Sequence, residues 1–425
     1  MSAKSPDQPR LFIGIDWADR QHEVCSFSEN RPEQMAHQSL DQQPEAIAQW
    51  VAALQTDYPD HRLLVALEQS RGPLTAALKR FPQLELFPLN PSQLASYRRA
   101  VCPSGSKNDP GDAALIAQFL QHHHSQLRPR QDQAPETARI AELVELRRKL
   151  VEERKRLTLR LGSSLKGYFP LALTLTGRAL HDEIVLDLLR RWPTLPQLKR
   201  AHPKTLRTFL AQHGLKNTDR QTRLIETLRA ATPLTKDPAL IKPQCRYVQC
   251  LVQQLRDLNQ AIAGFDEQLQ RLAAAHPDHE LFRSLPGAGA ALAPRLLAAF
   301  GSDRDRYDRP EQLQCYSGIA PVTQQSGKKR TVRKRRACPK FLRQTFHEFA
   351  DQARKWSPWS KAFYTMKRHQ GFKHHAAVRA LAYKWIRIIF HLWKTHSTYS
   401  EQHYIQQLRR THSPVIEFLE PAKSA

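Results

Sequence analysis

The sequence predicts a mixed α/β head followed by a helical middle and a mostly helical, strongly basic C-terminal part. Three observations lead there. Short apolar runs alternate with helix-period segments over the first 125 residues, leucines then recur at heptad spacing, and the charge changes sign along the chain. The 425 residues carry 65 Lys and Arg against 40 Asp and Glu. Residues 1–125 hold 11 basic and 14 acidic side chains, whereas the last hundred hold 22 and 5. A near-neutral head on a basic body points to a polyanionic partner, and nucleic acid is the expected one.

Taken in order, Leu11–Ile15 reads as a strand and His22–Phe27 as its hairpin partner. Pro44–Leu54 places Ile47, Trp50, Val51 and Leu54 on one helical face. Arg62–Leu67 is a second apolar strand, a helix begins near Pro73, and Leu84–Leu89 is a strand closed by Asn90-Pro91. A helix opens at Asp109-Pro110 and buries Leu115, Ile116 and Phe119. From about residue 136 the pattern is helical, with Leu143, Leu150 and Leu157 seven apart and Leu146 between them. Leu251, Leu255, Leu258, Ile262, Phe265, Leu269 and Leu272 form a heptad seam. It suits a coiled coil, a long helical hairpin or a helix packed on its own domain. The proline-punctuated residues 163–245 between them read as an insert of short helices. The expected domains are thus 1–135, 136–275 with the insert, and 276–425.

Two classes are excluded. Six cysteines without CxxC or Cys/His spacing form neither a disulfide scaffold nor a zinc site, so free thiols in a reducing cytoplasm are expected. The apolar run LFIGI is too short for a signal peptide or membrane span, and no membrane partner is expected.

Four carboxylates stand where metal-dependent phosphoryl transfer would place them. Asp16 follows the LFIGI run and Glu68 follows LLVAL, each at a strand end, while Asp109 and Asp112 lie three apart at a helix start. For the last pair an N-cap at Asp109 with Asp112 closing a capping box is the competing explanation. In the C-terminal part, Gly287 and Gly289 flank a turn whose backbone N–H groups could approach a phosphate, or which simply joins two helices. Lys328, Lys329, Arg330, Arg333, Lys334, Arg335, Arg336, Lys340 and Arg343 are candidate phosphate contacts. Trp356, Trp359, Phe363 and Tyr364 interleave with further cations and could stack on bases, although some must be core. Ser326 precedes Gly327, a pairing common in plain turns.

The runs IGIDWADRQHEV, LEQSRGP, NPSQ (90–93) and KNDPGDAALIA resemble the DEDD domain of the insertion-sequence-110 transposases. That domain is similar to the RuvC Holliday-junction resolvase, with an RNase H-like fold. LPGAGAALAPRLLAAFG, YSGIAPVTQQSGKKR and CPKFLRQTF resemble the second domain of the same family. The resemblance implies that Asp16, Glu68, Asp109 and Asp112 hold Mg2+ and that Ser326 is the nucleophile, with nearby Ser317 a packing residue. It implies a transposase that excises and inserts its element through a serine–DNA covalent link, acting on double-stranded DNA. It further implies a structured bridge RNA as guide and a homo-oligomer in which one subunit's acidic domain faces another's serine. A metal-dependent structure-specific nuclease and a nucleic-acid-binding scaffold are the alternatives.

Overall fold

In the head, the computed structural model builds a five-stranded mixed sheet; residues 8–68, 72–102, 108–327 and 329–419 are described. Strand β1 (Arg10–Asp16) pairs antiparallel with β2 (Gln21–Ser28), which pairs antiparallel with β3 (Ala36–Asp41). On its other side β1 lies parallel to β4 (Arg62–Leu67), and β4 lies parallel to β5 (Leu84–Pro88). The order is therefore β3-β2-β1-β4-β5. Side chains alternate across the pleat. Leu11, Ile13, Ile15, Leu63, Val65 and Leu67 meet α1 (Pro44–Asp57) and α2 (Pro73–Leu78). Phe12, Leu64 and Ala66 meet α3 (Pro91–Val101) and α4 (Asp109–His123) on the opposite face.

The sequence predicts four of these strands. It omits β3, an edge strand whose residues are exposed apart from Leu40. It also omits α3, because Asn90-Pro91 reads there only as a strand stop. Asn90 is in fact that helix's N-cap: its side chain accepts the Ser92 N–H at 3.0 Å, and Pro91 takes the first helical position.

The chain divides into two compact units, 1–132 and 133–425. In the second, α5 (Pro135–Tyr168) and α10 (Pro238–Ala274) lie side by side. Arg147 pairs with Asp266 and Arg154 with Asn259, so the two helices run antiparallel. Of the three arrangements open to the heptad seam, two are met together: α10 lies antiparallel to α5 and packs on its own unit, with Leu251, Leu255, Ile262 and Leu269 buried within the chain. The seam is therefore no argument for pairing subunits. Both helices reach further into the expected insert, which comprises a 3₁₀ turn (Pro170–Leu173), α6 (Glu183–Arg191), α7 (Leu195–Arg200), α8 (Pro203–Gln212) and α9 (Thr218–Ala230).

Two cores form at opposite ends of this helical pair. Leu157, Leu161 and Leu165 of α5 join Val248, Leu251 and Leu255 of α10 and the insert helices. Ile140, Val144 and Leu269 join the C-terminal helices. Those are α11 (His279–Arg283), α12 (Gly289–Phe300), α13 (Pro310–Tyr316), α14 (Lys340–Trp356), α15 (Pro358–His369), α16 (His374–Thr395), α17 (Glu401–Arg410) and α18 (Ile416–Leu419). Between Val144 and Leu157 no residue of α5 is fully buried. No helix among the described residues is long and apolar enough to cross a membrane.

Candidate active site

The alternation that buries Phe12 under α4 also places Gly14 and Asp16 on that face of β1. A Cβ on Gly14 would stand 2.2 Å from the Ala113 carbonyl oxygen and 2.4 Å from the Ala117 nitrogen. Only a residue without a side chain lets α4 lie this close to the strand. Close packing brings the first turn of α4, with Asp112, to the end of β1, where Asp16 lies. In the parallel register Ile15 faces Leu67, so Asp16 and Glu68 leave adjacent strand ends one residue later, on the face of Leu64 and Ala66.

Capping does not account for Asp109 and Asp112. The N-cap of α4 is Asn108, whose side-chain oxygen accepts the Gly111 N–H at 3.0 Å. This corrects the capping box, and Asp112 has another task. Its side chain is only 7% exposed and forms an ion pair with Arg98 of α3. Hydrogen bonding to Asp112, reinforced by the charges of Asp112, Glu68 and Asp16, raises the Arg98 guanidinium above its ordinary range. Three predicted acids from three elements thus act on one cation. Asp109 is exposed and does not take part. Among the described residues no three acidic, His or Cys side chains stand close enough to hold a metal ion as they are placed. The donor set nevertheless suits a divalent cation, since it consists of hard carboxylate oxygens from adjoining strand ends and a helix start.

Sequence reasoning missed Arg98. It lies seven residues after Pro91, two turns into α3, and its neighbour Tyr97 fixes that helix on α4. The Tyr97 hydroxyl bonds His122 Nδ1 at 2.7 Å, and its ring meets Phe119 edge-on at 5.2 Å. The NPSQ motif, a helix start, was the available signal.

The second unit holds the other candidates. Ser326 ends β6 (Val322–Ser326), which pairs antiparallel with β7 (Lys329–Arg333). Ser326 faces Lys329 and Gln325 faces Arg330. The turn opens at Gly327 with φ +55°, a left-handed conformation favouring glycine. Ser326 is exposed, whereas Ser317 is fully buried and donates its hydroxyl to the Gln314 carbonyl at 3.2 Å. Lys328 lies outside the described residues. Lys329, Arg330, Arg333, Lys334, Arg336 and Lys340 are exposed, but Arg335 and Arg343 are half-buried, with Arg343 donating to Cys338 Sγ at 3.3 Å.

Gly287 (φ +76°) lies under the Trp356 ring, whose Cδ1 would be 2.8 Å from an added Cβ, while Gly289 has open space around it and begins α12. The aromatic stripe separates into two kinds. Trp359 and Phe363 are core, and Trp356 is 71% exposed.

Two family profiles match the chain in this order. A transposase profile of the insertion-sequence-110 DEDD type covers residues 13–170, and a profile described as transposase, IS116/IS110/IS902 family, covers 279–365. The mini-circle putative transposase for IS117 of Streptomyces coelicolor is 28% identical over 415 residues, 93% of this chain and 97% of the relative. An uncharacterized 42 kDa protein of insertion element IS900 from Mycobacterium paratuberculosis is 24% identical, over 92% of this chain and 97% of its own length. The transposase for IS1111A of Coxiella burnetii is 27% identical over 37% of this chain and 42% of its own. The chain belongs to the IS116/IS110/IS902 family of transposases.

Proposed function

We propose that this transposase excises and inserts a mobile DNA element through a covalent phosphoserine at Ser326. In this reading Asp16, Glu68, Asp109 and Asp112 hold Mg2+, and a structured bridge RNA selects the DNA. The observation that carries it is the Arg98–Asp112 ion pair, whose guanidinium also feels the charges of Glu68 and Asp16. Strand order β3-β2-β1-β4-β5, with carboxylates closing β1 and β4, supports an RNase H-like, RuvC-like head.

Bound among these acids, Mg2+ would supply Lewis-acid charge to phosphate oxygens. The chain's own residues do the rest. Asp112, already buried, holds its carboxylate in place. The Ser326 hydroxyl, uncovered at a strand end, can reach a DNA phosphate, and Lys329 and Arg330 beside it draw that phosphate in. Attack forms a serine Oγ–P bond and breaks one P–O bond of the backbone, with the departing sugar oxygen taking up a proton. A sugar hydroxyl from another strand then reverses the step and frees the serine. One phosphate ester replaces another throughout, so no ATP is required.

The test is to incubate the protein with element-end DNA and RNA transcribed from the DNA flanking its reading frame, then to score protein–DNA adducts on denaturing gels. Wild type should form adducts, Ser326→Ala and Asp16→Ala should not, and Ser317→Ala should. Mixed oligomers of differently tagged Asp16→Ala and Ser326→Ala chains should recover adducts if one site is shared between subunits. Cleavage without adducts, retained by Ser326→Ala, would instead identify a resolvase-like nuclease.

A further inference from the structure

We infer that Arg98 is the resident counter-cation of the acidic cluster, neutralising it before a divalent ion arrives and surrendering Asp112 when it does. The inference rests on the proposal that these carboxylates take a metal. Its own ground is the position of Arg98. The Asn90 cap and Pro91 start α3, Tyr97 anchors that helix to α4, and the next residue meets a nearly buried Asp112 while Glu68 and Asp16 act on the same guanidinium.

The physics of the cluster requires a cation at all times. Several carboxylates brought to adjoining strand ends repel one another, and burial removes the water that would screen them. Arginine suits the waiting state because its guanidinium is always charged and its planar fork can address more than one carboxylate. It cannot serve the working state. Mg2+ would draw carboxylate oxygens into direct coordination, far tighter than a guanidinium does. Asp112 cannot give the same oxygens to both, and two cations in one cluster repel. Arg98 and the metal therefore compete, and their competition is reciprocal: whatever Arg98 adds to the metal-free head it subtracts from metal affinity.

The experiment uses the full chain without DNA. Mn2+ binding is followed by electron paramagnetic resonance and Mg2+ by its effect on thermal unfolding, for wild type, Arg98→Ala, Arg98→Lys and Asp16→Ala. Arg98→Ala should unfold at a lower temperature without metal yet half-saturate at a metal concentration roughly five- to hundredfold lower. Arg98→Lys, which keeps the charge and loses the fork, should lie between and serves if the alanine variant folds poorly. A purely structural ion pair would lower the unfolding temperature equally at every metal concentration and leave half-saturation unchanged, which overturns the inference. So would weaker metal binding in Arg98→Ala. Failure of the underlying reading looks different: wild type and Asp16→Ala would then bind Mn2+ alike.

Discussion

Gly14 and His276 show how single residues constrain each unit. At Gly14 an alanine would force its methyl group into the α4 backbone, a clash that side-chain repacking cannot relieve. At His276 the constraint is a tautomer. The ring is 7% exposed, Nδ1 accepts the Asp278 N–H at 3.1 Å, and Nε2 is thereby left to donate to Thr137 Oγ1 at 2.8 Å. Burial lowers its pKa below the ordinary value, outweighing nearby Asp278. His22 in the head is held the same way, between the Ala18 N–H and Gln42, and burial lowers its pKa too. With the folded pKa depressed, the unfolded chain binds the proton first as pH falls through about 6.5, so stability is lost on the acid side. Calorimetry between pH 8 and 5 should show unfolding temperatures that fall from near pH 6.5 downward. His276→Gln should cost about 1–2 kcal/mol at pH 7.5 and flatten the acid-side fall. An identical slope in wild type and variant would count against His276.

Among the elements, the β6–β7 hairpin contributes little to the core. Val322 and Thr331 are half-buried and the other described residues are exposed, so it is suited to contact rather than to packing. Replacing Lys329, Arg330, Arg333, Lys334 and Arg336 by alanine should weaken binding to all DNA sequences alike. It should also lower the log–log salt slope by roughly 0.7–0.9 for each phosphate no longer neutralised. Poorer sequence discrimination at an unchanged slope would mean that these side chains read bases. The same hairpin marks where sequence legibility ends. Strands β1, β2, β4 and β5 announce themselves because burial demands apolar residues, and Asp16 and Glu68 are legible because they end those runs, whereas Asp109 and Asp112 stand at a helix start. The hairpin and β3 face water and carry no such pattern. Helix α3 buries only Leu94 fully, and Arg98 meets Asp112 only once the chain has folded, fourteen residues apart in sequence.

At the scale of the whole molecule, the second unit is two cores held at the ends of one antiparallel helical pair, α5 and α10. From Val144, the last residue of one core on α5, to Leu157, the first of the other, the helix climbs about 20 Å at 1.5 Å per residue. That stretch is held by Arg147–Asp266 and Arg154–Asn259, which fix register, and by Ile262, which is buried between them. The pair is consequently a caliper whose opening is written in residue count. Matched seven-residue insertions, after Leu150 and opposite it after Ile262, should widen the gap by about 10 Å while nearly preserving the angular setting of its ends. Spin labels on α8 and α14 would measure the widening, and an unchanged separation would mean that other contacts set the gap. The separation of the two cores is thus a quantity that the length of these helices can be edited to change.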